Sequence, residues 1–334
     1  LIYKTQYSVT FNQSGLDETA TGAVVTISGV AKTKCDLLLT DWFDSGTPYS
    51  YSSIVSSNVV DKRFSLNGVT GPTSPITSSG TVTGNYIPQY KVTFTQVGLD
   101  DTATGTIITV AGTPKGYDDL PFTTDWLDRD TSLGFEYMDT VTSSASAKRF
   151  ELVNISHESP FTITAPTTVT STYKIEYKLT VRTEGLDAYM TNVYNGSNIL
   201  GTATDATPYE QWFHQGTLIQ LNIDTPITGG SERKVFTHWT EDAIGTNIPV
   251  PVTLGSAKAV TANYKTQYQL TVRTSGLGAY STSVYDGAIV LGTANDTIPY
   301  AGWFEERALV SLNIDTPIIN GQKRFVFTQW SGNA

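Results

Sequence analysis

Tyr3-Lys4-Thr5-Gln6-Tyr7 at one end of the chain returns unchanged as Tyr264-Lys265-Thr266-Gln267-Tyr268 towards the other. Each copy leads into a short alternating stretch and then a Gly-Leu pair. Tyr7-Ser8-Val9-Thr10-Phe11 runs to Gly15-Leu16-Asp17, and Tyr268-Gln269-Leu270-Thr271-Val272 runs to Gly276-Leu277-Gly278. Two more openings of this kind lie between them. Tyr90-Lys91-Val92-Thr93-Phe94 precedes Gly98-Leu99-Asp100, and Tyr177-Lys178-Leu179-Thr180-Val181 precedes Gly185-Leu186-Asp187. The four opening tyrosines are spaced 83, 87 and 91 residues apart. Such periods fit one small domain per repeat, not a solenoid whose units of 20 to 50 residues must stack to fold.

The sequence therefore predicts four tandem domains at residues 7–89, 90–176, 177–267 and 268–334, preceded by an orphan strand end at 1–6. Within the first repeat, runs at 7–11, 23–27, 36–42, 49–55, 63–66 and 81–86 alternate apolar and polar positions, the period of half-buried strands. Turn residues such as Asn67-Gly68 and Gly71-Pro72 separate them, and no apolar pattern holds helical spacing for three turns. The expected fold class is all-β, with small immunoglobulin-like β-sandwiches in series; a β-grasp arrangement stays open.

The repeats form two subtypes in the order A, A, B, B. Gly-Leu-Asp-Glu-Thr-Ala-Thr-Gly at 15–22 is matched by Gly-Leu-Asp-Asp-Thr-Ala-Thr-Gly at 98–105, and Lys62-Arg63-Phe64 by Lys148-Arg149-Phe150. The second pair shares Leu-Asn-Ile-Asp-Thr-Pro-Ile at 221–227 and 312–318, and Val-Phe-Thr before Trp239 and Trp330. We call the repeats A1, A2, B1 and B2. The counterparts of residues 244–261 do not follow Trp330, so B2 is expected to lack its last strand.

Val-Phe-Thr-His-Trp at 235–239, Pro251-Val252-Thr253-Leu254 and Lys258-Ala259-Val260-Thr261-Ala262-Asn263-Tyr264 resemble the divergent internalin-type B-repeats of large bacterial and archaeal surface proteins. The Tyr-Lys-Thr-Gln-Tyr joint looks like the archaeal version. B1 and B2 carry the match, whereas the middles of A1 and A2 depart from it. The resemblance implies an extracellular or cell-surface component: a stalk, adhesin, S-layer or filament subunit.

Composition narrows the partners. A net charge of −10 argues against a nucleic acid held through its phosphates, and 39% hydrophobic residues exclude a disordered chain. No run approaches the roughly 18 apolar residues of a membrane span. Cys35 is the only cysteine and forms no internal disulfide.

Repetition also tests for catalysis, because an enzyme needs one constellation while an array needs the same residues in every unit. Trp42 with Trp126, Trp212 with Trp303, and Trp239 with Trp330 occupy equivalent places, as core or interdomain anchors should. The pairs Asp41/Asp44 and Asp125/Asp128 are absent from the B repeats, and His157, His214 and His238 are unrepeated. No enzymatic activity and no cofactor are expected. Asp17, Glu18, Asp100 and Asp101 recur beside the Gly-Leu turn, where hard oxygens would suit Ca²⁺, without the spaced ligand series of an EF-hand. Sequons stand at Asn12, Asn154, Asn195 and Asn295, usable as glycan sites on an exported chain, with Asn195 and Asn295 preferred for their turn-like surroundings. Lys4 and Lys265 lie where a Lys-Asn cross-link would stiffen a joint.

The expected partner is the chain itself. A sandwich short of a strand exposes an edge, and Tyr3, Lys4, Thr5, Gln6 and Tyr7 match the tail of the strand B2 lacks. Phe325, Phe327 and Trp330 are the acceptor positions in a head-to-tail filament with strand exchange, and a surface glycan is a further possible partner. The alternative is a carbohydrate-binding or adhesin array, which requires Trp42, Trp126, Tyr49 and Tyr51 to form an exposed aromatic face.

Overall fold

The computed structural model describes residues 1–332; positions 333 and 334, the last two assigned to B2, lie outside the described residues. The fold is all-β, with one 3-10 turn at Lys34–Asp36 and no α-helix among the described residues. The chain divides into two compact units, Leu1–Glu176 and Tyr177–Ala334.

In the first unit, the opening strand of A1, Gln6–Ser14, lies parallel to its closing strand, Gly80–Tyr90, with Val9 opposite Gly80 and Ser14 opposite Asn85. Leu39–Asp44 flanks the opening strand and Lys62–Thr70 the closing strand, both antiparallel. Val25–Ile27, between Val30–Lys32 and Tyr49–Tyr51, makes a second small sheet. Side chains alternate across a strand, so Val9, Phe11 and Val82 point to one face and meet Val25 and Ile27 in a two-layer core. The Phe11 and Tyr49 rings meet edge to face, with their centres 5.1 Å apart. A2 repeats the plan: Val92–Val97 runs parallel to residues 167–172, and Phe94, Ile108, Phe135 and Val169 form its core.

B1, in the second unit, pairs residues 179–184 in parallel with the first part of Lys258–Val272, which is flanked by Glu232–Glu241. Its core gathers Leu179, Val193, Leu221, Val260 and Trp239. In B2 the sheet Thr282–Asp286, Ile289–Ala294 and Leu312–Ile314 forms, but the fully buried cluster shrinks to Val272, Val284 and Ala294. Lys323–Phe325 pairs with Ile318–Asn320 alone, and residues 326–330 are not in a strand, whereas their B1 counterparts lie within Glu232–Glu241.

The expected strand runs hold in outline and shift in detail. The run at 49–55 is two strands, Tyr49–Tyr51 and Ile54–Ser57, and the run at 36–42 begins later, at Leu39. The Lys34–Asp36 turn displaces that start: the Asp36 carboxylate accepts hydrogen bonds from the Thr33 N–H and hydroxyl and fixes a non-extended backbone. The strand expected at 81–86 extends over Gly80–Tyr90, because pairing with Lys62–Thr70 carries it past the alternating stretch.

The Gly-Leu pair owes its glycine to the parallel pairing. Gly15, Gly98 and Gly185 have φ of +85°, +97° and +87°, and a Cβ on them would meet the carbonyl oxygens of Tyr86, Tyr173 and Tyr264 at 1.8, 2.0 and 2.4 Å. Only glycine fits where both a left-handed conformation and a backbone in contact are required. Gly276 in B2 has φ of +94° but nothing within 4 Å of its Cβ position. Gly185→Ala is therefore expected to lose roughly 2–4 kcal/mol by strain and displaced backbone, and Gly276→Ala only the left-handed penalty of about 1–2 kcal/mol. Thermal unfolding of the two variants side by side checks this; equal losses would contradict it.

Candidate functional site

The residues that recur with full geometry sit at the joints between repeats. In the first unit, the closing strand of A1 runs into A2, and Leu127 and Asp128 of A2 pair with its end, opposite Tyr90 and Gln89. Arg63, opposite Gln89 in register, donates from Nε to the Gln89 Oε1 at 2.7 Å. Gln89 passes its own Nε2 hydrogen to Asp128 at 2.7 Å. The Arg63 guanidinium lies over the Trp126 ring, 4.5 Å from its centre, with the Lys91 ammonium at 5.0 Å. Such stacking contributes on the order of 0.5–2 kcal/mol according to desolvation.

The B1–B2 joint in the second unit has the same parts. Arg233 stands opposite Gln267, donates to its Oε1 at 2.9 Å and lies 4.7 Å from the centre of the Trp303 ring. Glu305, in the place of Asp128, is ion-paired with Lys265. At the end of A2, Arg149 donates to Glu176 at 2.7 Å, a carboxylate replacing the glutamine.

At the start of A1 half of this arrangement is present. Gln6 Nε2 donates to Asp44 at 2.9 Å and Lys4 Nζ to the other Asp44 oxygen at 3.0 Å, which holds that carboxyl below its ordinary range. Trp42, the counterpart of Trp126 and Trp303, is 66% exposed. Residues 3–5 are also exposed and not in a strand.

B2 exposes apolar residues whose counterparts B1 buries. Trp239 of B1 is 1% exposed and donates its indole hydrogen to the Asn247 carbonyl, whereas Trp330 is 37% exposed and leans on Phe327 at 5.1 Å. Beside Trp330, a groove of about 780 Å³ runs along residues 268–273 and is walled by Phe304, Arg307 and Leu312. That edge corresponds to residues 177–182 of B1, of which 179–182 pair with the closing strand. Tyr264 on that closing strand is 8% exposed, with its hydroxyl donating to the Asp224 carbonyl at 2.9 Å. Its sequence counterpart at the start of the chain, Tyr3, is 86% exposed.

The acidic turn residues are held by lysines. Asp17 pairs with Lys62 at 2.5 Å and Asp100 with Lys148 at 2.5 Å, while Asp187 takes the buried Lys234, two positions further along the corresponding strand. Glu18 pairs with Lys34, and Asp101 is exposed. Burial works against charge at Asp17, but hydrogen bonds from Lys62 and Thr19 outweigh it and bring its carboxyl down to about 2. A calcium ion there would have to displace an ammonium ion already in place. Lys4 and Lys265 face Asp44 and Glu305, so carboxylates stand where the cross-link expectation required asparagine.

Among the sequons, Asn154 is the exposed one, on Lys148–Ile155. The preferred Asn195 and Asn295 instead use their Oδ1 atoms locally, Asn195 for the Gln220 N–H and Asn295 for the Thr297 and Ile298 N–H groups; Asn12 does so for Gln13. The aromatic platform does not assemble: Tyr49 and Tyr51 pack against the A1 core and Trp126 lies beneath Arg63, leaving Trp42 exposed. Asp44 and Asp128 belong to the joints, and Asp41 accepts from the Trp42 N–H. His157 and His238 each share a hydrogen bond with the hydroxyl beside them, Ser156 and Thr237. Sequence reasoning missed Arg63, Arg233, Gln89 and Gln267; their signal was an arginine of the strand before the joint recurring with a glutamine beside the joint tyrosine.

No helix of the described residues is long and apolar enough to cross a membrane. No protein-family model and no curated protein sequence matches the chain. Among solved structures it is similar to the Bacillus anthracis TIE protein, at 8% identity and a TM-score of 0.24, over 97% of this chain and 65% of that one. It is also similar to a streptococcal ancillary pilin, at 10% identity and a TM-score of 0.19, over 78% of this chain and 99% of that one. The chain thus spans about two thirds of the length of the TIE protein.

Asp17→Asn leaves the Lys62 ammonium, 9% exposed as a side chain, without its counter-charge. The expected loss is about 1 kcal/mol at pH 7. The folded carboxyl ionises near 2 and the unfolded one near 3.8, so the wild-type advantage is complete above about pH 4 and fades as pH falls towards 2. Denaturant titrations of both proteins at pH 7 and pH 2 measure the convergence; a gap unchanged by pH would refute the assignment.

Proposed function

We propose that this chain is an extracellular, non-enzymatic structural protein, a subunit of a cell-surface filament or layer built from repeats joined head to tail. In this reading each repeat is a domain of its own, and B2 is completed by an incoming strand from a neighbouring subunit. The observation that carries the reading is the space at Gly276. In the other three repeats a tyrosine carbonyl of the closing strand presses on the equivalent glycine, and here nothing lies within 4 Å.

The same reading accounts for the exposure of Tyr3 and Trp330. Applied to residues 323–327, the B1 register places Arg324 opposite Gln6, Val326 opposite Lys4 and Phe327 opposite Tyr3 of the neighbour. Tyr3 then enters B2 as Tyr264 enters B1, with the Asp315 carbonyl in the place of that of Asp224. Strand addition of this kind satisfies an open edge and covers apolar side chains together, and a head-to-tail contact that does not close yields a filament. Asn154 is the position at which such a surface protein would best accept a glycan.

A synthetic peptide of residues 257–268 is expected to bind B2 and move the Trp330 emission to the blue, with no such change in a Trp330→Phe variant. Electron microscopy of concentrated protein is expected to show filaments that shorten when the peptide is added. Protein that neither binds the peptide nor assembles would overturn the reading.

A further inference from the structure

We propose that a cavity of about 550 Å³ in A2, between Phe135–Tyr137 and residues 152–159, is a docking slot for an extended segment of a partner protein that carries a basic residue between two apolar ones. The site is separate from the open edge of B2 and does not rest on the head-to-tail reading.

The slot is an interrupted ladder. Ser132–Leu133 pairs with Phe161–Thr162, with Leu133 opposite Phe161. Continued, that register sets Phe135 opposite Ser159 and Glu136 opposite Glu158, but Pro160 has no N–H to carry the pairing on. What reaches across is the Phe135 N–H, which donates to the Ser159 Oγ at 2.9 Å. On its other side Phe135–Tyr137 is the last strand of a three-stranded sheet, where Gly134 accepts from the Ala111 N–H and Met138 donates to the Ile107 carbonyl. An antiparallel ladder bonds through every second residue, so the Tyr137 N–H and the carbonyls of Phe135 and Tyr137 turn to the slot side. Groups of this kind are the ones an added strand bonds to.

The lining decides what that strand carries. Phe135 and Tyr137 are 7% and 3% exposed and form an apolar floor with Leu152 and Ile155. Glu136, Asp139 and Glu158 line the same cavity, and no lysine or arginine does. Carboxylates level with each other across a slot repel until a cation lies between them. Side chains alternate along a strand, so the residue paired with Glu136 points towards the acids while its two neighbours point with Phe135 and Tyr137. No three of these carboxylates and the His157 imidazole bring their ligand atoms within 4.8 Å of one another, which suits a guanidinium or ammonium on a stem and not a metal ion.

A1 shows the same place strapped shut. Tyr49 stands where A2 has Phe135, and its N–H is likewise taken by a serine hydroxyl, that of Ser74. Its own hydroxyl donates to the Pro72 carbonyl on the opposite wall, a bond that Phe135 has no hydroxyl to make. Ser50 and Ser53 occupy the places of Glu136 and Asp139, and Gly71-Pro72-Thr73 that of His157-Glu158. Loss of the strap and gain of negative charge thus coincide at one cavity.

The test uses the whole chain and a labelled peptide, Thr-Val-Arg-Val-Thr, with affinity read by fluorescence polarisation and location by hydrogen exchange of residues 134–139. The peptide is expected to bind and to slow exchange in that segment. Glutamine in place of its arginine is expected to weaken binding about 3- to 10-fold. A chain carrying Glu136→Gln and Glu158→Gln, both at exposed positions, is expected to lose that preference and keep its circular dichroism. Phe135→Tyr, which restores the residue A1 folds with, is expected to abolish binding. Equal affinity of the two peptides for the wild type, unchanged exchange at 134–139, or binding undiminished by Phe135→Tyr would each overturn the proposal. Free ethylguanidinium that slows the same exchange as well as the peptide does would overturn the added strand.

Discussion

The closing strand of each complete repeat passes so near the Gly-Leu turn that no side chain fits between them. That approach determines much of the rest. It requires glycine at 15, 98 and 185, places a tyrosine carbonyl against each, and buries the tyrosine ring in its own repeat with the hydroxyl tied to backbone, as Tyr86 is to Val24 and Ser52. Burial pushes the Tyr86 hydroxyl up to about 12, so the ring stays neutral and donates that hydrogen bond across the physiological range. The turn itself is secured from within: Gln13 and Gln96 accept the Leu16 and Leu99 N–H groups in the A repeats, and Asp205 accepts those of Gly185 and Asp187 in B1.

Because the closing strand of A1 and that of B1 each continue into the next repeat, the joints need no linker of their own. The guanidinium-indole stack and the glutamine beside it use side chains from both repeats of the joint. Each joint is thus specified by residues belonging to two repeats, and one repeat alone carries only half of it. The exposed Trp42 and the half-buried Trp126 are the same residue in these two circumstances.

The repeat order, the all-β class and most strand positions were legible in the sequence because they rest on period and recurrence. Tyr-Lys-Thr-Gln-Tyr marks the joint, and Gly-Leu marks the turn. The parallel pairing of first and last strands was not legible, since alternation fixes which face a residue takes but not which strand lies beside it. The lysine partners of Asp17, Asp100 and Asp187 were hidden for a related reason: Lys62 and Lys148 sit two positions from the place Lys234 occupies, so alignment alone does not pair them. Side-chain period makes the two places equivalent, because both face the same side of the strand. Asp17 and Asp100 looked like free oxygen ligands only until the opposite strand was in place.

The parallel arrangement of the outermost strands in sequence has one more effect. The chain enters A1 at the start of Gln6–Ser14 and leaves it at the end of Gly80–Tyr90, and these two strands point the same way, side by side. A pull on the two ends drags them past each other along their length. The hydrogen bonds between residues 9–14 and 80–85 then resist together in shear, whereas a hairpin pulled at its open end gives way rung by rung. A2 and B1 place their own first and last strands in the same relation. Mechanical resistance is thus a property of the topology, present in A1, A2 and B1 alike.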